Sequence, residues 1–400
     1  MNILFLTVTK LHNVEERGIY SDLMRKFAAN GHKVYVVSPF ERRMNRKTEL
    51  FNSVGVNILG VKTLNIQKAK FVEKGIGTLL LEYQYARAVR KYLKDIKFDM
   101  VLYSTPPITL NKVIRYVKQR FNARSYLLLK DIFPQNAVDL RMFSERSILY
   151  RWFRRKERQL YMLSDKIGCM SPENVDYLLK HNPDIDPQNV HVNPNSIELT
   201  IPTTEIEKTA TRIKYGIPTD RMVFIYGGNL GKPQGIDFLL QVLEFYRNND
   251  NLFFVIAGSG TEYDRVHNWF ANHNPDNAVL LSHIPKPEYD MLVGSCDVGL
   301  IFLDKRFTIP NYPSRLLSYL EYRMPIIVAS DKSTDIGRIA EQNGYGFWSE
   351  SGDIDAFDKN IQKILDRHQT IVEMGETGYQ FLMDNYTVDK TYSIIVNSVL

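Results

Sequence analysis

The chain has 400 residues, 44% of them hydrophobic and 24% charged, and a formal net charge of +6. That length exceeds one ordinary core, so two domains of roughly 150–200 residues are expected. The composition excludes a disordered, collagen-like or disulfide-stapled chain, and no apolar run reaches the roughly 18 residues of a membrane span.

In chain order, MNILFLTVTKLHN lacks the basic start and small-residue cleavage site of a signal peptide, and Asn2–Val8 reads as a buried strand. Tyr20–Asn30 carries Leu23, Met24 and Phe27 at helical spacing, with Gly31 just past its end. Further strands are expected at Lys33–Ser38, Val56–Val61, Met100–Tyr103, Arg124–Leu129 and Lys166–Met170. Helices are expected at Leu79–Lys94, Ile114–Phe121, Ile148–Leu163 and Glu173–Lys180. Asn193–Lys208 is polar, lacks periodicity and reads as a linker. The scheme then repeats, with strands at Met222–Tyr226, Leu252–Ala257, Val279–Leu281, Val298–Phe302, Pro325–Ala329 and Gly346–Trp348. Its helices are Asp237–Tyr246, Glu262–Asn272, Glu288–Gly294, Ser314–Tyr322 and Ile354–Asp366. Short strands alternating with helices make βαβ units. The expected fold class is therefore α/β: two doubly wound Rossmann-like domains with a cleft between them, ligands sitting at the carboxyl ends of strands.

Charge is unevenly spread. Residues 1–200 hold 33 Lys/Arg against 19 Asp/Glu, a net +14, and the remainder nets −8. The basic half also interleaves aromatics, as in YRWFRRKERQLYML, which suits an anionic surface: nucleic acid or the cytoplasmic leaflet of a membrane. The plainer reading makes Arg151, Arg154, Arg155 and Arg158 the solvated face of a helix. Cys169 and Cys296 stand far apart in apolar surroundings, which suits two core thiols in a reducing compartment. No metal-ligand spacing appears.

The stretch FIYGGNLGKPQGIDFLL (Phe224–Leu240) is a glycine-rich strand-to-helix turn. Glycines let a backbone bend and approach a ligand, and a helix start favours an anion. Lys232 adds a cation. A Walker loop needs Ser or Thr after its lysine, where this chain has Pro233; a dinucleotide turn needs G-x-G-x-x-G, where this chain has G-G-x-x-G. AGSG (Ala257–Gly260), HIPKPE (His283–Glu288) and the helix start at Pro313–Ser314 follow other strands of the same half. Proline at a first turn leaves the amides of Arg315–Leu317 free, and Ser314 adds a hydroxyl. Cationic and neutral donors around one crevice, without a magnesium motif, suit a nucleoside diphosphate held by the protein itself.

The order of these pieces resembles the retaining GT-B glycosyltransferases of family 4 over nearly the whole chain. The resemblance is carried by Pro194, Asn195 and Glu198, GGNLGKPQGIDFLL, AGSG, SCDVGLIF, PSRLLSYLEYRMPIIVAS and NGYGFWSESGDIDAF. DIFPQNAVDL (Asp131–Leu140), with the Pro313–Arg315 element, is closest to the capsule and O-antigen branch. The resemblance implies an acceptor domain at 1–197, a nucleotide-sugar domain at 198–385, and a terminal segment 386–400 whose helix, Asp389–Val399, crosses back to the first domain. It implies sugar transfer with retention from a UDP-sugar, more readily than a GDP-sugar, to a saccharide or polyprenyl-linked saccharide. Such an enzyme would be cytoplasmic and peripheral on the inner face of the plasma membrane through its basic half. Neither a cofactor, a metal nor nucleic acid is expected. The alternatives are a nucleotide-sugar epimerase on the same fold, or a non-catalytic protein binding nucleotide sugars or nucleic acid.

The carried-over site comprises Gly228, Asn229, Leu230, Gln234, Gly258, Ser259, Gly260, His283, Ile284, Ser314, Leu316, Ser318 and Glu321 on the donor side. His12, Glu16 and Gly18 lie on the acceptor side. Two departures are informative. Asn229 and Gln234 stand where many members place Arg and Lys, and Pro310 and Ser318 stand where many place paired glutamates. Glu321, on nearly the same helical face as Ser318, is the expected ribose contact. Lys232, Arg315, Ser314 and the amides of Gly228 and Asn229 are the expected donors to a leaving diphosphate. Asp131 is the expected group orienting or deprotonating the acceptor hydroxyl.

Overall fold

Runs such as Ile3–Leu6 and Phe224–Tyr226 carry no charge and are fully buried, as strands must be when helices cover both faces of a parallel sheet. The computed structural model describes residues 1–66, 71–200, 204–366 and 368–399. It divides into one unit of Met1–Glu198 with Thr387–Leu400 and a second of Leu199–Tyr386.

The first unit contains β1 (Asn2–Leu6), β2 (Lys33–Glu41), β3 (Glu49–Ser53), β4 (Val56–Thr63), β5 (Met100–Ser104), β6 (Arg124–Leu129), β7 (Lys166–Cys169) and β8 (Val190–Val192). They lie in the order β3-β4-β2-β1-β5-β6-β7-β8, all parallel except the β3–β4 hairpin. One face packs against helices that include Phe71–Tyr92, Asn111–Phe121 and Ile148–Leu163. The other packs against Ile19–Ala29 and the terminal helix Val388–Val399, whose Ile395 is fully buried beside Ile3 and Phe27. Lys26 pairs with Asp389, and Tyr392 meets Phe27 edge-on at 5.1 Å and His32 Nε2 at 3.0 Å. These contacts make the terminal helix part of the first unit.

The second unit has β9 (Met222–Asn229), β10 (Leu252–Ser259), β11 (Ala278–Leu281), β12 (Val298–Phe302), β13 (Ile326–Ser330) and β14 (Gly346–Glu350). They form one parallel sheet ordered β11-β10-β9-β12-β13-β14.

Several elements depart from the sequence reading. Asn193–Lys208 is not simply a linker: Glu205–Lys214 is a helix, entered through a capping box of Thr204 and Glu207. Arg212 of this helix reaches Asp297 at 2.8 Å. β3 and β8 were not expected, nor were the helices Ile336–Gln342 and His368–Asn385. The long helix opens at Phe71, ahead of Leu79.

Candidate functional site

β9 lies in the middle of the second sheet, flanked by β10 and β12. Connections leave it in opposite directions, so its carboxyl end is the switch point at which doubly wound sheets bind ligands. The strand does not stop at Tyr226 but stays paired with β10 as far as Asn229 and Ser259. Glycine makes that pairing feasible. A Cβ on Gly258 would lie 1.9 Å from the Gly228 carbonyl oxygen, and one on Gly260 would lie 2.2 Å from that of Leu230. Gly228 (φ 115°) and Gly235 (φ 56°) adopt backbone that other residues avoid. Leu230 is buried, and its amide and carbonyl are bonded to Ser259 and Glu262, so it shapes the turn and offers no donor.

Arg315, the first residue of the helix Arg315–Glu321, reaches back to this turn. Its guanidinium carbon lies 4.3 Å from the centroid of the Tyr226 ring. Nη2 donates to Gln234 Oε1 and lies 3.8 Å from where a Cβ on Gly228 would be. Nη1 is buried with no hydrogen-bond partner among the described residues. Lys232 is exposed at the mouth of the turn. Neither cation makes an ion pair among the described residues, although this half of the chain is acidic overall. Three tyrosines brace the turn. Tyr226 donates to the Asn229 carbonyl at 2.7 Å. The Tyr319 hydroxyl accepts from the Gly227 amide at 3.0 Å. The Tyr289 hydroxyl fills the space where a Gly227 Cβ would be, 2.0 Å away. Burial raises the Tyr289 phenol to about 12, which keeps it protonated beside the cation.

The structure thus brings together Gly228, Asn229, Leu230, Gln234, Gly258, Gly260 and Arg315, with Ser259 on the paired strand end. Other expected residues sit differently. The amides of Leu316 and Leu317 are not free; they donate to Pro313 and Ser314 carbonyls in tight i+3 turns. Leu316 is wholly buried in the core. Ser314 is exposed and caps nothing with its side chain, and Ser318 is half-buried. Glu321 is buried, and its Oε1 accepts from the Thr200 amide at 2.9 Å and hydroxyl at 3.1 Å; that oxygen anchors the start of the unit. His283 is exposed at φ 57°, with Ile284 half-buried after it.

In the first unit, Asp131 follows β6. Its two oxygens accept from Asn136 Nδ2 at 2.8 and 3.0 Å, and burial raises its carboxyl to about 6 despite those bonds. Its neighbour Lys130, which the sequence reading passed over, is enclosed more tellingly. Lys130 Nζ donates to the Asn193 carbonyl at 3.0 Å, makes no ion pair among the described residues, and is lowered by burial to about 7. The amides of both residues are held by Thr105 Oγ1. The buried Oδ1 atoms of Asn136 and Asn193 lack partners among the described residues. Close by, a small pocket is lined by residues that include Gln135, Tyr150, Arg154, Glu157 and Tyr177. Glu157 on its wall is raised to about 7 by burial, opposed by Arg154. Elsewhere in the unit, the ring of His12 is fixed to the Pro39 carbonyl at 3.0 Å and set against Phe40; burial lowers it below the usual imidazole range. Glu16 is exposed, and the Gly18 amide is occupied by Asp22 at 2.9 Å.

Among the described residues, no helix is long and apolar enough to cross a membrane, and no group of three or more His, Cys, Asp or Glu is placed to hold a metal ion. The family described as glycosyl transferases group 1 matches residues 207–381, and glycosyltransferase family 4 matches residues 20–201. The probable glycosyltransferase WbjE of Pseudomonas aeruginosa is 23% identical over 80% of this chain and 78% of its own. In fold, sucrose-phosphate synthase from Thermosynechococcus elongatus superposes with a TM-score of 0.78 at 15% identity, over 99% of this chain and 98% of the other. HepE from Anabaena, solved in complex with UDP, gives 0.70 at 13% identity, over 100% of this chain and 99% of the other.

Proposed function

We propose that this chain, a glycosyltransferase of the GT-B type, moves a sugar with retention from a UDP-sugar to a saccharide or polyprenyl-linked saccharide in surface polysaccharide assembly. One observation carries the donor side of this reading: the buried Arg315 Nη1 at the switch point of the second sheet, without a hydrogen-bond partner among the described residues. A guanidinium held by Tyr226 and Gln234 beside Gly228, with its other nitrogen unpartnered among the described residues, is suited to a phosphate oxygen. Lys232 stands ready to supply a second, mobile charge. As the glycosidic bond to the diphosphate breaks, negative charge grows on the leaving phosphate. Fixed donors at that point lower the barrier without reorganising. The reading calls on no resident metal or cofactor. UDP bound to a protein of the same fold supports the choice of nucleotide.

On the acceptor side, we assign Asp131 to receive or orient the proton of the attacking hydroxyl. A carboxyl poised near 6 is ionised at neutral pH yet basic enough to accept a proton. The enclosed Lys130, with the free amide oxygens of Asn136 and Asn193, offers one donor and two acceptors, a set suited to a polyhydroxylated ligand.

The test is calorimetric titration with UDP, GDP and ADP, followed by UDP-sugars with and without oligosaccharide acceptors. UDP is expected to bind and to raise the unfolding temperature, and the intact sugar to appear on the acceptor. Absence of binding by all three nucleotides would remove the reading. Sugar conversion with no acceptor present would turn it toward an epimerase.

A further inference from the structure

We infer that the outer face of the helices Phe71–Tyr92 and Ile148–Leu163 in the first unit rests on an anionic lipid surface. The helix Ile148–Leu163 exposes Ile148, Arg151, Arg155, Arg158 and Met162, a 3-4-3-4 spacing that sets them on one stripe. Ile148 is 79% exposed, more than any other large hydrophobic residue described, and Leu149 beside it is 43% exposed. Burying such residues in water's favour has no internal route, because the opposite side of the helix already fills the core through Leu160 and Tyr161. The segment leading into the helix adds Arg141, Arg146 and the 59% exposed Met142.

Arg158 on the stripe pairs with Asp184, but other arginines around it have no acidic partner among the described residues. Arg141, Arg146, Arg151 and Arg155 form no ion pair among the described residues, whereas the inward Arg154 is bound to Glu157 at 2.7 Å. The patch continues onto the neighbouring helix. Lys156 lies 3.8 Å from Glu82, and Glu82 is followed by Tyr83, 61% exposed, with Leu79 one turn before it at 55%. Trp152, half-buried, sits under Lys156. Apolar groups, an interfacial aromatic pair and free arginines on one face are what a bilayer surface accepts, the rings at headgroup depth and the cations on phosphate. A nucleic acid would use the arginines but would leave Ile148 and Leu149 in water, so lipid is the better match. In the second unit, exposed large apolar residues such as Ile213, Phe245 and Val372 fall on separate helices.

This inference extends the proposed function, which has a lipid-linked acceptor to meet, but its test needs no activity. Full-length protein is sedimented with vesicles of phosphatidylcholine alone and of phosphatidylcholine with a quarter phosphatidylglycerol, at low and high salt. Binding is expected only to the anionic vesicles, weakened by salt. Each surface arginine contributes roughly fivefold to partitioning, so R151E/R155E should lower it at least about 25-fold. I148N/L149N, which removes the apolar groups without changing the charge, should weaken it, and I213N should leave it as in wild type. No binding by the wild type, or binding unaffected by I148N/L149N, overturns the inference, as does equal competition by single-stranded RNA with that variant. UDP binding, measured on the same samples, should be unchanged; its absence in the wild type would defeat the donor reading and leave this surface standing.

Discussion

Arg315→Met separates binding from stability in one residue. In the ligand-free protein the guanidinium is enclosed without a carboxylate in ion-pair reach among the described residues, and an unpaired buried cation costs several kcal/mol even after relaxation. Against that, its position over Tyr226 returns about 1–2 kcal/mol and its charged hydrogen bond to Gln234 about 1.5–3 kcal/mol. These contributions nearly cancel. A methionine of similar reach should therefore shift the unfolding temperature by only a few degrees, since about 1 kcal/mol is worth roughly 2–4 °C in a unit of this size. Donor binding has no such cancellation. Losing a charge-assisted bond to phosphate costs about 1.5–3 kcal/mol, or roughly 10- to 100-fold in UDP affinity. Turnover should fall further than affinity, because the phosphate charge is greatest as the bond breaks. Arg315→Lys should recover only part of the loss, lacking the planar fork that meets Gln234 and phosphate together. Calorimetric titration with UDP and thermal unfolding without it read the two quantities. UDP affinity within about twofold of wild type would refute the assignment, and a collapse of the ligand-free fold would recast Arg315 as structural.

The acidic limb of the pH–rate profile should reflect Asp131, with activity rising through pH 6 and the limb missing from a residual-activity profile of Asp131→Asn. The same shift has a stability sign. A carboxyl raised in the folded state binds its proton more tightly there, so stability is fullest below its unfolded value of about 4 and declines as pH rises through 6. Asp131→Asn should then be more stable than wild type at neutral pH, with the gap closing in acid; denaturant unfolding at the two pH values decides it. Gly258→Ala places a Cβ 1.9 Å from the Gly228 carbonyl and should cost about 1–3 kcal/mol, seen as a lower melting temperature with UDP binding lost; a wild-type melt would contradict the close approach. Glu321→Ala removes the acceptor for Thr200 and should destabilise by about 1–3 kcal/mol while leaving UDP affinity unchanged; a matching fall in UDP affinity would restore the ribose role.

Central strands were legible because burial on both faces leaves an uninterrupted apolar run. β1, β2, β5, β6, β9, β10, β12 and β13 all announce themselves in this way. β3 did not, since an edge strand reading ELFNS exposes most of its side chains, and β8 is three residues long. The helix Glu205–Lys214 carried a readable capping box at Thr204 and Glu207 and apolar Ile206, Ala210 and Ile213 at helical spacing, signals passed over because the surrounding run is polar. At the site, glycine spacing located the turn because glycine answers to backbone geometry, and backbone geometry is local. The strand's continuation past Tyr226 was hidden for the converse reason: glycines that look like a break serve here to let β9 and β10 stay paired.

Charge environment is the part that sequence does not encode locally. Lys130 ends an apolar strand, where a lysine ordinarily extends its stem and keeps its ammonium in water. Its ammonium donates instead to the Asn193 carbonyl, while Thr105 holds its backbone amide, both from distant loops. Arg315 was identifiable as a candidate cation, but its isolation depends on Tyr226, Gln234 and the absence of any acid among the described neighbours, contributed by separate elements. Gln234 therefore acquires a physical role. A second arginine or lysine at 234 would repel Arg315; glutamine holds it by its amide oxygen and leaves one nitrogen open. The turn relies on one aimed charge, so introducing a cation through Gln234→Lys should displace the Arg315 side chain and weaken UDP binding although net charge rises. Stronger binding by that variant would show that charge count, and not alignment of Arg315, governs the site.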